Sequence, residues 1–261
     1  MIEIPKINCE KTTKDIVKFI ERKVKEANSK GVVVGLSGGI DSTVTAFLVT
    51  QAIGNENVFG VIMPSKTTPK EDTAHGEEIA KLLNIKYKTV EIDSIQDEII
   101  NLTDEEEVVS SIGNLKARIR MSILYYFANN RNYLVGGTGN KSEILIGYFT
   151  KFGDGASDFE PIADLYKTQV WQLSEYLKIP SEIIEKPPRA GLWNNQTDED
   201  EIGMDYELLD KILYLYNDKN ITEEKISQTL EINVQETEKI IQKIKNNEHK
   251  NKIPESPGNS N

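Results

Sequence analysis

One cysteine, Cys9, occurs in 261 residues. An intrachain disulfide and any CxxC metal site are thereby excluded. Cys9 sits in a polar stretch ahead of the first expected helix, where a thiol nucleophile is not expected. No run is long and apolar enough to cross a membrane, and the opening "MIEIPKINCEKTTKD" carries no apolar signal core. A cytoplasmic protein with no membrane partner is expected. Basic residues are in the minority: 31 Lys and Arg against 42 Asp and Glu leave a formal net charge of −11. Broad nucleic-acid binding needs clustered cations, which this balance does not supply. A small anionic ligand stays open, because a pocket can be locally basic or recruit a cation. Length and composition fit one globular domain over 1–254, with 255–261 as a disordered tail.

What is present is a regular alternation of patterns. Residues 12–28 put Ile16, Val17, Phe19, Ile20 and Val24 on one helical face. A strand is expected at 32–36, a helix from Ser42 to about Ile53 stopped by Gly54, and a buried strand at 57–64. A helix at 70–85, a strand at 86–93, a helix at 114–130 and a strand at 133–137 follow. This β-α-β order predicts an α/β, Rossmann-like parallel sheet with helices on both faces. Ligands of such folds bind beyond the carboxyl ends of the strands. Both glycine-rich turns, 37–39 and 136–139, fall at such ends. Beyond residue 150 the pattern predicts a helix at 167–179 ended by Pro180 and a long, mobile polar loop at 187–203. A small C-terminal helical extension of two or three helices is expected over about 205–250.

The stretch "GVVVGLSGGIDSTVTAFLV", residues 31–49, reads as strand, glycine turn and helix. Successive backbone N–H groups in such a turn form an anion nest. Gly38 and Gly39 permit close approach, and Ser37 and Ser42 add hydroxyl donors. The lysine of the common phosphate loop is missing, and Asp41 stands in the loop instead. A carboxylate beside phosphate is repulsive unless a cation lies between them, and Mg²⁺ is the economical one.

"SGGIDS" resembles the pyrophosphate loop of N-type ATP pyrophosphatases. These enzymes adenylate a carboxylate or similar oxygen, release pyrophosphate, and let a nitrogen or sulfur nucleophile displace AMP. The loop alone does not choose among asparagine, argininosuccinate, GMP and NAD synthetases or the tRNA-modifying members. Three further stretches do: "NLKARIRMSILYYFA", "LVGGTGNKSEILIGYFTKFGDGASDFEPIADLYKTQVWQLSEYL" and "NEHK". They resemble the ammonia-dependent NAD synthetase family, from about residue 14 to 254. The resemblance implies an adenine nucleotide alpha-hydrolase-like fold. It also implies ATP- and Mg²⁺-dependent amidation of deamido-NAD by ammonia through an acyl adenylate, giving NAD, AMP and pyrophosphate.

The same resemblance implies roles for particular residues. Gly35, Leu36, Ser37, Gly38, Gly39, Ile40, Asp41 and Ser42 would hold the ATP phosphates, with Thr138 and Lys167 as further ATP contacts. Asp41 and Glu143 would reach Mg²⁺. Arg118, Lys151, Asp158, His249 and Lys250 would contact deamido-NAD, and Asp154 would serve the ammonia pocket. Asp41, Lys167 and Asp154 form the expected catalytic set. Arg189 departs from the Ser or Thr common in the family's "PPxAGLW" segment; it either contacts a phosphate directly or turns to solvent. A homodimer is implied, with the deamido-NAD site across or near the interface; "MSILYYFA", apolar around much of its circumference, fits either an interface or a buried central helix.

Other readings have their own signals. Glutamine-dependent relatives carry an amidotransferase domain with a cysteine nucleophile, so free ammonia, or ammonia from a separate protein, is expected here. A different amidating ATP pyrophosphatase keeps the fold and changes the substrate. A sulfur-transferring RNA-modifying relative would want several cysteines and a basic face. "ITEEKISQTLEINVQETEKIIQKI" (221–244) has a helix-turn-helix look, but acids open its second helix and would meet phosphate. A packed hairpin that positions His249 and Lys250 is the better expectation. A non-catalytic ATP sensor would not need the full acid and base set.

Overall fold

The valine run dictates the centre of the molecule. In β1 (Val32–Gly35), Val32 and Val34 enter one apolar cluster and Val33 enters another, so both faces of the strand are buried. Such strands belong in parallel sheets covered on both sides. The computed structural model describes residues 3–103, 105, 108–193, 196–254, 256 and 258. Its sheet adds β2 (Val58–Ile62), β3 (Lys86–Thr89) and β4 (Leu134–Gly136) in the order β3-β2-β1-β4, every neighbour parallel.

Helices α1 (Cys9–Glu26), α2 (Ile40–Ile53) and α3 (Lys70–Leu82) supply Ile20, Val44, Leu48 and Ile79 to the cluster under Val32 and Val34. After β3 the chain runs through α4 (Asp93–Thr103) and α5 (Val109–Arg131). Ala128 and Leu124 of α5 cover Val33 and Val135 on the opposite face. The expected helices on both faces are present. The chain thus builds outward from β1 to β3, then crosses back to set β4 on the other side of β1. That reversal between β1 and β4 is the crevice where ligands of this architecture bind.

Helices α6 (Lys141–Ile146), α7 (Lys167–Tyr176), α8 (Ser181–Ile184) and α9 (Asp198–Ile202) follow β4. Helices α10 (Tyr206–Leu213), α11 (Glu223–Leu230) and α12 (Val234–Asn247) form the C-terminal part. Tyr206, Leu209, Leu213, Ile226 and Ile240 share one core with Ile146 of α6. The segment 221–244 is therefore a packed hairpin, α11 against α12, with its apolar residues turned inward.

Several boundaries differ from expectation for local reasons. α1 begins at Cys9 because the Asn8 side chain accepts the Lys11 N–H at 3.0 Å and caps it. Cys9 is thus inside the helix, not ahead of it. The third strand ends at Thr89, four residues early, because Asp93 opens α4. The expected tail, 255–261, lies almost wholly outside the described residues.

Candidate active site

The phosphate loop closes on its own side chains. Gly39 is the N-cap residue of α2, and the Ser42 hydroxyl donates to the Gly39 carbonyl at 3.0 Å. The Ser37 N–H donates to Ser42 Oγ at 3.3 Å, and the Gly39 N–H to Ser37 Oγ at 3.2 Å. Gly38 has φ +75°, and a Cβ there would lie 2.1 Å from the Asp72 carbonyl oxygen. Only glycine fits that turn. The loop thereby presses against the first turn of α3 and presents a helix N-terminus to a cavity of about 420 Å³.

Asp41, Glu143 and Lys167, distant in sequence, converge beside this loop. The Lys167 ammonium, buried, lies 2.5 Å from Asp41 Oδ2 and 3.4 Å from Glu143 Oε1. Asn140 fixes both acids: its Nδ2 donates to Asp41 Oδ1 and its Oδ1 accepts the Glu143 N–H, each at 3.0 Å. Lys167 is aligned from behind. Its N–H donates to Ser142 Oγ at 3.0 Å, and the Ser142 hydroxyl donates to the buried Asp210. Burial works against the Lys167 charge, but Asp41, Glu143 and Asp198 outweigh it and hold its pKa above the ordinary lysine value. Burial, with Asp41 and Asp198, pushes the Glu143 carboxyl up to about 8 against the pull of Lys167.

Asp198, which the sequence reading missed, is the third acid of this group. The Tyr206 hydroxyl donates to its Oδ2 at 3.2 Å, and the Tyr148 hydroxyl donates to its Oδ1 at 3.1 Å. Among the described residues, no group of three or more His, Cys, Asp or Glu side chains is arranged to hold a metal. Two carboxylate oxygens nevertheless converge on one cation here. That donor set fits Mg²⁺, which takes one or two carboxylates together with phosphate and water oxygens.

Thr138, Asp154 and Lys250 also line the cavity. The Asp154 carboxylate accepts the Thr150 N–H at 2.9 Å, and burial raises its pKa. The Lys250 ammonium donates to the carbonyls of Gly147 at 2.7 Å and Phe149 at 3.0 Å. The other residues expected at deamido-NAD lie off the cavity wall. Arg118 is exposed and donates to the Lys151 carbonyl at 3.3 Å, and Lys151 donates to the His249 carbonyl at 2.6 Å. These three form one surface group beside the cavity. Asp158 accepts the Val135 N–H at 2.7 Å and is bound to the edge of β4.

Arg189 lines the cavity and is held by acids of α3. It forks onto Asp72, with Nε to Oδ2 at 3.2 Å and Nη2 to Oδ1 at 2.9 Å, and also meets Glu71. Lys186 joins the same acid at 2.8 Å and donates to the Gly38 carbonyl at 2.5 Å and to His75 Nδ1 at 3.0 Å. This clamp ties the start of the 187–203 segment to the phosphate loop. Lys116 of α5 holds the segment further on, donating to the Leu192 carbonyl at 2.8 Å and to Thr67 Oγ1 at 2.9 Å. The described part of the segment expected to be mobile is thus fastened at several points. Lys116, Lys186 and Asp72 gave no motif signal; the lysine before "PPR" was the one available hint.

Residues 12–254 match the NAD synthase family. The NH(3)-dependent NAD(+) synthetase of Methanocaldococcus jannaschii is 50% identical over 254 residues, 96% of this chain and 97% of that protein. The protein of the same name from Methanococcus aeolicus is 52% identical over 79% of this chain and 83% of its own length. Two solved structures share the fold throughout. The NH3-dependent NAD synthetase from Campylobacter jejuni, in complex with the nitrate ion, superposes with TM-score 0.83 at 35% identity, covering 97% of this chain and all of that one. The NMN synthetase from Francisella tularensis superposes with TM-score 0.86 at 33% identity, covering 96% and 99%.

Proposed function

The chain belongs to the NAD synthase family, and from that premise we propose that it amidates the nicotinate carboxylate of deamido-NAD with ammonia at the expense of ATP. The observation that carries this reading is the convergence of Asp41, Glu143 and Lys167 beside the phosphate loop at the strand-order reversal.

A carboxylate does not acylate ammonia, because oxide is a poor leaving group. Adenylation supplies a better one. A carboxylate oxygen bonds to the α-phosphorus of ATP, and the bridging P–O bond breaks to release pyrophosphate. The nitrogen lone pair of ammonia then bonds to the acyl carbon, the C–O bond to AMP breaks, and the nitrogen loses a proton. The loop from Gly35 to Ser42 holds the triphosphate through backbone N–H groups and hydroxyls. Lys167 offsets the charge that moves onto pyrophosphate. Mg²⁺, held by Asp41 and Glu143, would screen the repulsion between the phosphates and these acids. Asp154, an acid whose pKa desolvation raises, is suited to steady ammonium or accept its proton.

Arg118, Lys151 and His249, grouped on the surface beside the cavity, would receive the far end of deamido-NAD. A second copy of the chain completes that surface. Tyr126 of α5 is 68% exposed, an apolar side chain that a homodimer through this helix would cover. No helix among the described residues is long and apolar enough to cross a membrane.

The test is product formation from ATP, Mg²⁺ and deamido-NAD, with ammonium and glutamine supplied separately. NAD and AMP should appear with ammonium alone. Because one structural relative is an NMN synthetase, nicotinate mononucleotide is offered in parallel. Turnover of the mononucleotide in preference to deamido-NAD would replace the substrate while keeping the chemistry.

A further inference from the structure

Arg120 lines the cavity, and the reaction above leaves its chemistry unused. The inward face of α5 carries Lys116, Arg120 and Leu124 at intervals of four, as helical geometry requires of neighbours on one face. Lys116 spends its donors on Leu192 and Thr67. Arg118, between them in sequence, points outward and is exposed. Arg120 turns inward. Its Nε donates to the Met63 carbonyl at 3.0 Å. Among the described residues its guanidinium has no other hydrogen bond and no ion pair.

A guanidinium has five N–H donors, so four remain for something the cavity receives. Arg120 is half-buried, and withdrawing a cation from water without a counter-charge in contact is costly. Burial accordingly works against this charge, and the carboxylates of Asp154 and Asp93 favour it from beyond ion-pair distance. The position is specific. Met63 directly follows β2, and its side chain lies against Gly35, where the phosphate loop begins. The guanidinium therefore occupies the wall between the phosphate loop and Asp154, where an activated carboxylate would meet ammonia.

We propose that Arg120 is a catalytic residue that receives, on its planar fork, the anionic oxygens brought together at adenylation: those of the α-phosphate and of the substrate carboxylate. The proposal rests on the function read above. Two like charges must approach to bonding distance in this step. A fixed cation between them lowers the barrier more than it strengthens binding of either partner, because the charges converge only in the transition state. Arg120 exchanges no proton. The carboxylate oxygen bonds to phosphorus, and the electron pair of the broken bond leaves with pyrophosphate. The fork geometry is why arginine stands here and lysine would not replace it.

The experiment uses the full chain and its variants Arg120→Met and Arg120→Lys. Adenylation is read alone, without ammonium, as deamido-NAD-dependent exchange of pyrophosphate into ATP; kcat and both KM values are then measured with ammonium. Arg120→Met should lower exchange and kcat together by about 100-fold or more, the scale of losing one preorganised donor to developing charge. Arg120→Lys should recover only part of that loss. The Tm of the ligand-free methionine variant should hold or rise, since a half-buried charge with no ion-pair partner has been removed. A fall in Tm with activity retained would make Arg120 a structural residue and overturn the proposal. So would exchange near the wild-type rate, or a rise confined to one KM with kcat intact. A wild-type protein without exchange would overturn the reading of function and this proposal together; an active wild type with an active Arg120→Met variant would overturn this proposal alone.

Discussion

Asp41 accepts from two donors, the Lys167 ammonium and the Asn140 amide, and that double anchorage separates its role in chemistry from its role in stability. Replacing it with asparagine keeps the shape and removes the charge. Lys167 retains Glu143 as a partner, so no buried ammonium is stranded. Asp41→Asn should therefore leave the fold intact while adenylation falls by about 100-fold or more, the scale of a lost electrostatic group at a reacting centre. Near-normal pyrophosphate exchange with unchanged Mg²⁺ dependence would refute the metal-holding role. Asp72 poses the complementary case. Burial pushes its pKa up, but Arg189 and Lys186 prevail and leave it below the usual aspartate range. A depressed folded-state pKa adds stability at pH values above the unfolded one, and that stability is lost as pH falls through the folded value. The Tm difference between wild type and Asp72→Asn should thus be constant from about pH 5 to 8 and shrink below about pH 4, the unfolded aspartate value. A difference that grows toward acid would contradict the assignment. The phosphate loop was legible because its parts are consecutive. The clamp on Asp72 was not, because its partners stand 114 and 117 residues away and no local spacing reports them.

Elements read from sequence succeeded in proportion to what they bury. β1 and α2 carry continuous apolar runs and were found with boundaries nearly correct. α4 has no fully buried residue, so periodicity had little to register, and it passed unnoticed. α6 spans only six residues, too few for a periodic signal. Yet the residue just ahead of α6 is the one on which the site geometry turns. Asn140 caps it by accepting the Glu143 N–H and with its other atom holds Asp41. These two functions can be separated. Asn140→Ala should lose about 1 kcal/mol of stability, the usual value of an N-cap, and should also lower activity. Asn140→Ser restores the cap, because a serine hydroxyl accepts the same N–H, but its short side chain does not reach Asp41. Stability should return while activity stays low. Chemical denaturation and pyrophosphate exchange on the same pair of variants check this. Recovery of both together would mean that the Asp41 contact is dispensable.

At the scale of the molecule, the residues expected at deamido-NAD divide between a cavity and a surface. Lys250 reaches the cavity because the α11–α12 hairpin packs on α6 and delivers it there. Arg118, Lys151 and His249 remain outside, next to one another and accessible. Sequence order gave no means of anticipating that division, since it depends on which face of α5 the sheet covers. The sheet takes Leu124 and Ala128, so Arg118, Ser122 and Tyr126 are left on the outer side at intervals of four. On the proposed reading, the distal half of the substrate would lie against this surface, where a second copy could add an opposing wall. A homodimer through this face would supply that wall and cover Tyr126 at the same time. Light scattering should then give twice the 29.4 kDa of the chain. Tyr126→Glu, which sets a charge in the centre of an apolar contact, should yield monomers. In those monomers the KM for deamido-NAD should rise by about 10-fold or more, one lost contact's worth of affinity, while the KM for ATP, whose phosphate loop, Lys167 and Thr138 all belong to one chain, should hold. If the monomer binds both substrates normally, the surface formed by Arg118, Lys151 and His249 is sufficient by itself and the second copy adds nothing to the site.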